Sequence, residues 1–95
     1  MTGNDARIEE IHAHLQATAT LPVETRASQW LGEAEAIAAD ARHCEGAALE
    51  KRVGQLQHLL SNVGDVEHEE ARAHVEAARE ATETLASELG VTDSS

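Results

Sequence analysis

Aromatic and sulfur-containing side chains are almost missing from this 95-residue chain. It has one tryptophan (Trp30), one cysteine (Cys44) and one proline (Pro22), and it has no phenylalanine or tyrosine. A single cysteine excludes an intramolecular disulfide and is typical of a reducing cytosol. The apolar volume therefore comes from eighteen alanines, nine leucines, six valines and three isoleucines. Because each buried position contributes so little volume, we expect helices that approach closely around a thin core.

Basic residues are also scarce. Seven lysines and arginines stand against eighteen acidic residues, which gives a formal net charge of −11, and Lys51 is the only lysine. Nucleic-acid and anionic membrane surfaces are therefore not expected as partners, since both need a basic patch. No apolar run is long enough to span a bilayer, and no basic segment followed by an apolar one marks a secretory signal. We expect a cytoplasmic protein.

Motifs of catalysis and cofactor binding are absent as well. The sequence contains no Gly-x-Ser-x-Gly elbow, no phosphate-binding glycine loop and no dinucleotide fingerprint. We therefore predict a protein that is not an enzyme and that needs no cofactor.

The segment 22–44 carries the most regular helical pattern. Pro22 suits a first helical turn because it lacks an N–H and has a near-helical φ, and Thr20 suits the N-cap before it. Gly46 tolerates the left-handed conformation that often ends a helix. Between these signals, apolar residues recur every three or four positions, as on one buried helical face. These residues are Ala27, Trp30, Leu31, Ala34, Ile37, Ala38 and Ala41.

Three further helices are predicted at roughly 5–19, 47–62 and 66–89. Asn4 or Asp5 is the expected N-cap of the first helix, Asp65 that of the last, and Gly90 the expected C-terminal stop. Gly54, inside the third helix, indicates either a close backbone contact or, as we favour, simple tolerance. The predicted buried faces are Ile8, Ile11, Leu15, Thr18 and Ala19, then Leu49, Val53, Leu56, Leu59, Leu60 and Val63, and finally Ala71, Val75, Ala78, Thr82, Leu85 and Leu89.

These four helices predict an all-α fold, a four-helix bundle-like single domain over residues 1–95 with frayed termini at 1–4 and 91–95. Short links favour antiparallel neighbours, and no low-complexity linker or internal repeat divides the chain. The close variant is a bundle whose core is completed by dimerisation.

The segment 21–41, LPVETRASQWLGEAEAIAADA, is rich in alanine and glutamate and has no lysine. The sequence of this segment resembles that of small uncharacterised acidic helical proteins of halophilic archaea, and the resemblance extends over about two thirds of the chain. The resemblance implies a cytosolic protein that surface acid keeps soluble in molar salt, where a Debye length of about 3 Å screens most self-repulsion. The alternative is an ordinary acidic protein of a low-salt cytosol. No function comes with this resemblance.

Our leading hypothesis is a non-enzymatic helical module that associates with itself, most simply as a homodimer, or with a protein partner. The thin core and the long fourth helix motivate it. The predicted interface residues are Trp30, Ala71, Val75, Ala78, Leu85 and Leu89.

The alternative is a metal-binding helical bundle of the di-metal type, because six histidines in an acidic chain offer imidazole and carboxylate ligands. Glu67, Glu70 and His74 of the fourth helix are the predicted ligands of a divalent metal ion, with His68 or His12 as additions. A third hypothesis is an acidic mimic of nucleic acid that occupies a basic groove of another protein, and we rank it last because high salt weakens such binding.

Overall fold

The computed structural model describes residues 3–64 and 66–90, and side-chain burial from residue 6 onward. Four helices make up this part of the chain, which contains no strand, and the predicted all-α fold is confirmed. They are α1 (Gly3–Thr18), α2 (Thr25–Ala41), α3 (Gly46–Ser61) and α4 (Glu69–Leu89). None of them has the length and apolar character that crossing a membrane requires.

Each helix packs on two others in a closed ring. Close backbone contacts join α1 to α2, α2 to α3, α3 to α4 and α4 back to α1, whereas the described residues of the two diagonal pairs have no backbone contact of this kind. Arg7, early in α1, lies 3.8 Å from Glu88 at the end of α4, and His14, late in α1, lies beside His74 early in α4. Helices α1 and α4 are therefore antiparallel, and their seam is the most extensive in the bundle.

The core alternates helices with large and small buried side chains around this ring. Isoleucine and leucine fill the buried positions of α1, and leucine and valine those of α3, while alanine dominates α2 and α4. Every contacting pair therefore joins one large-residue helix to one alanine-rich helix. This pairing lets backbones approach closely while the leucines fill the space between them. The buried alanines are Ala27, Ala34, Ala38, Ala41, Ala71, Ala78, Ala81 and Ala86.

The predicted buried faces are confirmed except at their margins. Along α2 the buried face is centred on Leu31, Ala34 and Ala38, and the two larger residues Trp30 and Ile37 lie half-buried on its flank. Ala19 is exposed and Leu89 is only partly buried. A built Cβ at Gly54 meets no atom within 4 Å, so tolerance explains this glycine and close contact does not.

The predicted start of the second helix at Pro22 is wrong. Helix α2 begins at Thr25 after Glu24, and Thr20 does not cap it, because the Thr20 hydroxyl donates to the carbonyl oxygen of Ala17 at 3.2 Å. The N–H groups of residues 19–21 each donate to the carbonyl oxygen three residues earlier. The chain after α1 therefore continues as a tighter turn up to Leu21. Proline then ends this series, since it has no N–H to donate and disfavours helical geometry in the residue before it.

The other predicted helix ends, except the end of α4, shift by one to three residues. Helix α1 begins at Gly3, so Asn4 and Asp5 lie inside its first turn and neither is the N-cap. Helix α2 ends at Ala41 with Arg42 as its C-cap, so Gly46 (φ 59°) does not end it and instead begins α3. Gly90 (φ 77°) closes α4 as predicted.

Helix α4 begins at residue 69 and not at the predicted residue 66, because the chain before it contributes buried side chains to the core. Val63 and Val66 are both buried on either side of the turn at Gly64, so the segment crosses the end of the bundle before the helix begins. The N-cap is His68, whose Nδ1 accepts a hydrogen bond from the Ala71 N–H at 3.3 Å. The predicted cap Asp65 lies outside the described residues, as do residues 1, 2 and 91–95.

Arg79 joins α4 to the end of α3. Its Nε and Nη2 donate to the carbonyl oxygen of Leu60 at 3.2 and 2.9 Å, and Nη2 also reaches the carbonyl of Gly64 at 3.5 Å. The Leu60 carbonyl also accepts the backbone N–H of Val63 at 3.3 Å, so the guanidinium adds charged donors to the end of α3. Its positive charge opposes the negative end of the helix dipole.

Candidate functional site

The predicted metal ligands do not share one helical face. Glu67 precedes α4, Glu70 is exposed in the first turn of α4 and His74 is half-buried one turn later. The expected alignment of Glu67 with His74 assumed a helix that begins at 66, and it is wrong for that reason. The His68 ring is engaged as the N-cap of α4. No three histidine, cysteine, aspartate or glutamate side chains come together as a metal-ion set within residues 6–64 and 66–90.

His74 instead meets a histidine that the sequence reading did not pair with it. Its Nδ1 lies 2.9 Å from Nδ1 of His14, which projects from α1 across the seam. The ring centroids are 5.2 Å apart and the ring planes are tilted by 45°. Such a contact is a hydrogen bond when one ring carries its proton on Nδ1 and the other does not.

Helical position brings these two rings together. His14 follows the buried Ile11 by three residues and precedes the buried Thr18 by four, while His74 precedes the buried Val75 and Ala78. Both histidines are therefore on the margin of a buried face and are partly covered. The antiparallel course of the helices then sets them opposite each other.

A repeated spacing carried a signal that the sequence reading missed. Each of the two histidines follows a glutamate by four residues, Glu10 before His14 and Glu70 before His74, within the segments EIHAH and EARAH. Residues four apart lie on the same side of a helix. The seam thus carries the same glutamate-histidine pair on both helices, running in opposite directions.

Ion pairs extend this seam and its neighbour. Arg7 lies 3.4 Å from Glu10 and 3.8 Å from Glu88, and Arg42, next to the end of α2, bonds Glu9 of α1 at 3.1 Å. The carboxylate side chains of all three pairs are exposed by 46% or more, so each pair is expected to contribute about 1 kcal/mol or less.

The predicted interface residues fall into two groups. Ala71, Val75, Ala78 and Leu85 are at most 1% exposed and belong to the core of a single chain. A partner reaches these four only if the bundle opens. Two are partly exposed on the closed bundle, Trp30 and Leu89.

An apolar cleft lies between α2 and α3, on the side of α2 that carries Trp30. Its volume is about 560 Å³, and Ile37 and Leu59 form its apolar floor. Trp30 and Ile37 are seven residues apart and so lie along one side of α2. The remaining lining includes Glu33, Lys51, Gly54 and His58.

Charge is distributed unevenly over the helices. Helix α3 carries Glu50 against Lys51 and Arg52, and among the four helices it alone has a positive formal charge. Arg52 Nε lies 2.7 Å from Asp40 Oδ2 of α2, although it is not aligned for a hydrogen bond. Helix α4 carries six glutamates against two arginines. The α2–α3 cleft is therefore bordered by the least acidic helix.

Cys44 has a structural contact. Its Sγ donates to the carbonyl oxygen of Asp40 at 3.4 Å, and the residue is partly buried just after α2.

The chain matches a protein-family model. The model of a family described as Domain of unknown function (DUF8152) matches residues 7–90, from the first turns of α1 to the cap of α4. No curated protein and no solved structure matches the chain.

Proposed function

The chain belongs to the DUF8152 family, and from that premise we propose that it is a non-enzymatic helical module that pairs with a second copy through the α2–α3 cleft. The description of the family names no activity, so the proposal rests on the physical properties of the surface. The observation that carries it is the line of half-buried apolar side chains along one side of α2.

Trp30 and Ile37 are large apolar residues that the bundle leaves partly in water. Tryptophan is the largest side chain of this protein and the only aromatic one. Large aromatic side chains contribute most to protein interfaces, because each removes much apolar surface from water. Covering Trp30, Ile37 and Leu59 with a second chain would complete a core that is thin in one chain.

The charges at the cleft favour a second copy as the occupant. Glu33 and Lys51 lie on opposite walls of the cleft, on α2 and α3. In a two-fold pair the same surface meets itself, so Glu33 of one copy can face Lys51 of the other. Contact through this side also keeps the acidic α4 helices apart, which lowers the repulsion between two chains of formal charge −11.

High salt would support this pairing. At about 1 M salt the Debye length is about 3 Å, compared with about 10 Å at 0.1 M, so like charges at the rim no longer oppose contact. We place the protein in a salt-rich cytoplasm, which the excess of glutamate over lysine and the single thiol support.

The test is the molar mass in solution, measured by analytical ultracentrifugation over a range of KCl and protein concentrations. We expect a dimer in molar KCl whose dissociation constant rises as salt is removed. Trp30→Gln and Ile37→Gln should each weaken it by at least about tenfold, which is about 1.4 kcal/mol.

The matched control is Leu89→Gln, which changes a partly exposed apolar residue on α4. It should leave the dissociation constant unchanged. A wild-type protein that remains monomeric at millimolar concentration in molar KCl would refute the proposal. So would a dimer that Leu89→Gln weakens as much as Trp30→Gln does.

A further inference from the structure

We propose that His14 and His74 form a divalent-metal site across the α1–α4 seam, with Glu10 and Glu70 as its carboxylate ligands. The observation behind it is that two imidazole Nδ1 atoms from different helices face each other at 2.9 Å in a partly buried position. Imidazole nitrogens from two elements, with further ligands one turn away, are a common way to hold such an ion.

The backbone is already spaced for a metal ion. Two imidazole rings whose Nδ1 atoms are 2.9 Å apart have the largest centroid separation when each Nδ1 points directly at the other ring. The observed separation of 5.2 Å is close to that maximum, so the two Nδ1 atoms point at each other. A tetrahedral ion about 2.05 Å from each nitrogen would place the nitrogens about 3.4 Å apart and the centroids about 5.2 Å apart. Each ring therefore has only to turn in place, and the helices keep their separation.

The carboxylates lie away from the two imidazoles in this structure and would have to turn toward them on metal binding. Glu10 is one turn before His14 and Glu70 one turn before His74, and because α1 and α4 are antiparallel these turns lie on either side of the histidine pair. Both side chains are exposed and free to change rotamer, although Glu10 must leave the exposed ion pair with Arg7. Two neutral imidazoles and two carboxylates balance the charge of a divalent cation.

The ligand set selects the class of metal. Two nitrogens with two carboxylate oxygens suit Zn²⁺ or Co²⁺, whereas Mg²⁺ and Ca²⁺ prefer sites made of oxygen alone. His12 cannot join the set, since it is two residues from His14 and points to another side of α1. The proposed ligands share Glu70 and His74 with the set predicted from sequence, while His14 and Glu10 take the place of Glu67.

The experiment is titration of the chelator-treated full chain with Co²⁺ and Zn²⁺. We expect one ion per chain, the visible absorption bands of tetrahedral Co²⁺, and a shift of the Nδ1 resonances of His14 and His74 in long-range nitrogen-15 spectra. His14→Ala and His74→Ala should each weaken binding by at least about tenfold. Circular dichroism without metal checks that each variant folds.

Two control variants locate the site. His12→Ala and His58→Ala remove histidines from α1 and α3 without touching the pair, and they should bind as the wild type does. Binding that all four variants weaken equally would show that the ions do not depend on this pair, and weak binding that none changes would assign them to surface carboxylates. Either result would overturn the proposal. A wild-type protein with no Zn²⁺ or Co²⁺ binding would leave His14 and His74 as a hydrogen bond only. The titration is repeated on Trp30→Gln, the variant expected to weaken the dimer. Unchanged metal binding in this variant would show that the metal site does not depend on dimerisation.

Discussion

Replacing Ala78 by leucine tests whether the alternation of large and small helices governs this fold. Ala78 is 0% exposed at the centre of the buried face of α4, which packs against the leucine-rich α3 and the isoleucine-rich α1. If the core only had to be hydrophobic, leucine would stabilise it, because leucine has more apolar surface than alanine. In a close-packed core the same change forces neighbouring side chains out of their rotamers.

The expected cost is about 1–3 kcal/mol. A chain of this length has a total stability of about 5–14 kcal/mol at 0.05–0.15 kcal/mol per residue, so the loss is a substantial part of it. With about 4–8 °C of melting temperature per kcal/mol, Tm should fall by about 4–24 °C. Urea unfolding in molar KCl, followed by circular dichroism, measures the change in the free energy of unfolding.

Ala73→Leu is the matched control, since Ala73 is an exposed residue of the same helix. Both residues are strong helix formers, so this variant should stay within about 0.5 kcal/mol of the wild type. The opposite change, Leu56→Ala in α3, should cost about 2–5 kcal/mol by leaving a cavity. An Ala78→Leu protein as stable as the wild type, or more stable, would refute the alternating-core argument.

Two further predictions concern helix ends. Arg79→Gln should cost about 1–2 kcal/mol by removing the charged donor from the end of α3, whereas Arg72→Gln, at an exposed site of the same helix, should be near neutral in the same urea assay. Gly90→Ala should destabilise by about 1 kcal/mol because φ is 77°, while Gly32→Ala should stabilise by up to about 1 kcal/mol, since it lies inside α2 with open space around its Cβ. Thermal unfolding of the pair should therefore move in opposite directions, and a shift of the same sign would contradict the backbone argument.

Of the candidate site residues, some can be predicted from the sequence and others only from the packing of the helices. The sequence marks Trp30 as an interface candidate because it is the single tryptophan of the chain and lies on an alanine-rich helix. The sequence does not mark His14 in this way, since its partner His74 is sixty residues away and only the packing of α1 on α4 brings the two together. The recurring glutamate-histidine spacing was visible, but spacing on one helix does not say which other helix it faces.

The four helices, the centres of their buried faces and the final stop at Gly90 follow from the amino-acid sequence alone. These features are local, because the 3.6-residue period and the φ preferences of glycine act within a few residues. Packing between the helices set the remaining features. It placed Leu31 and Ala38 inside and Trp30 and Ile37 on the flank, since a neighbouring helix selects which part of a broad apolar face it covers. It also delayed α4 to Glu69, because burial of Val66 across the end of the bundle outweighs the helix propensity of that segment.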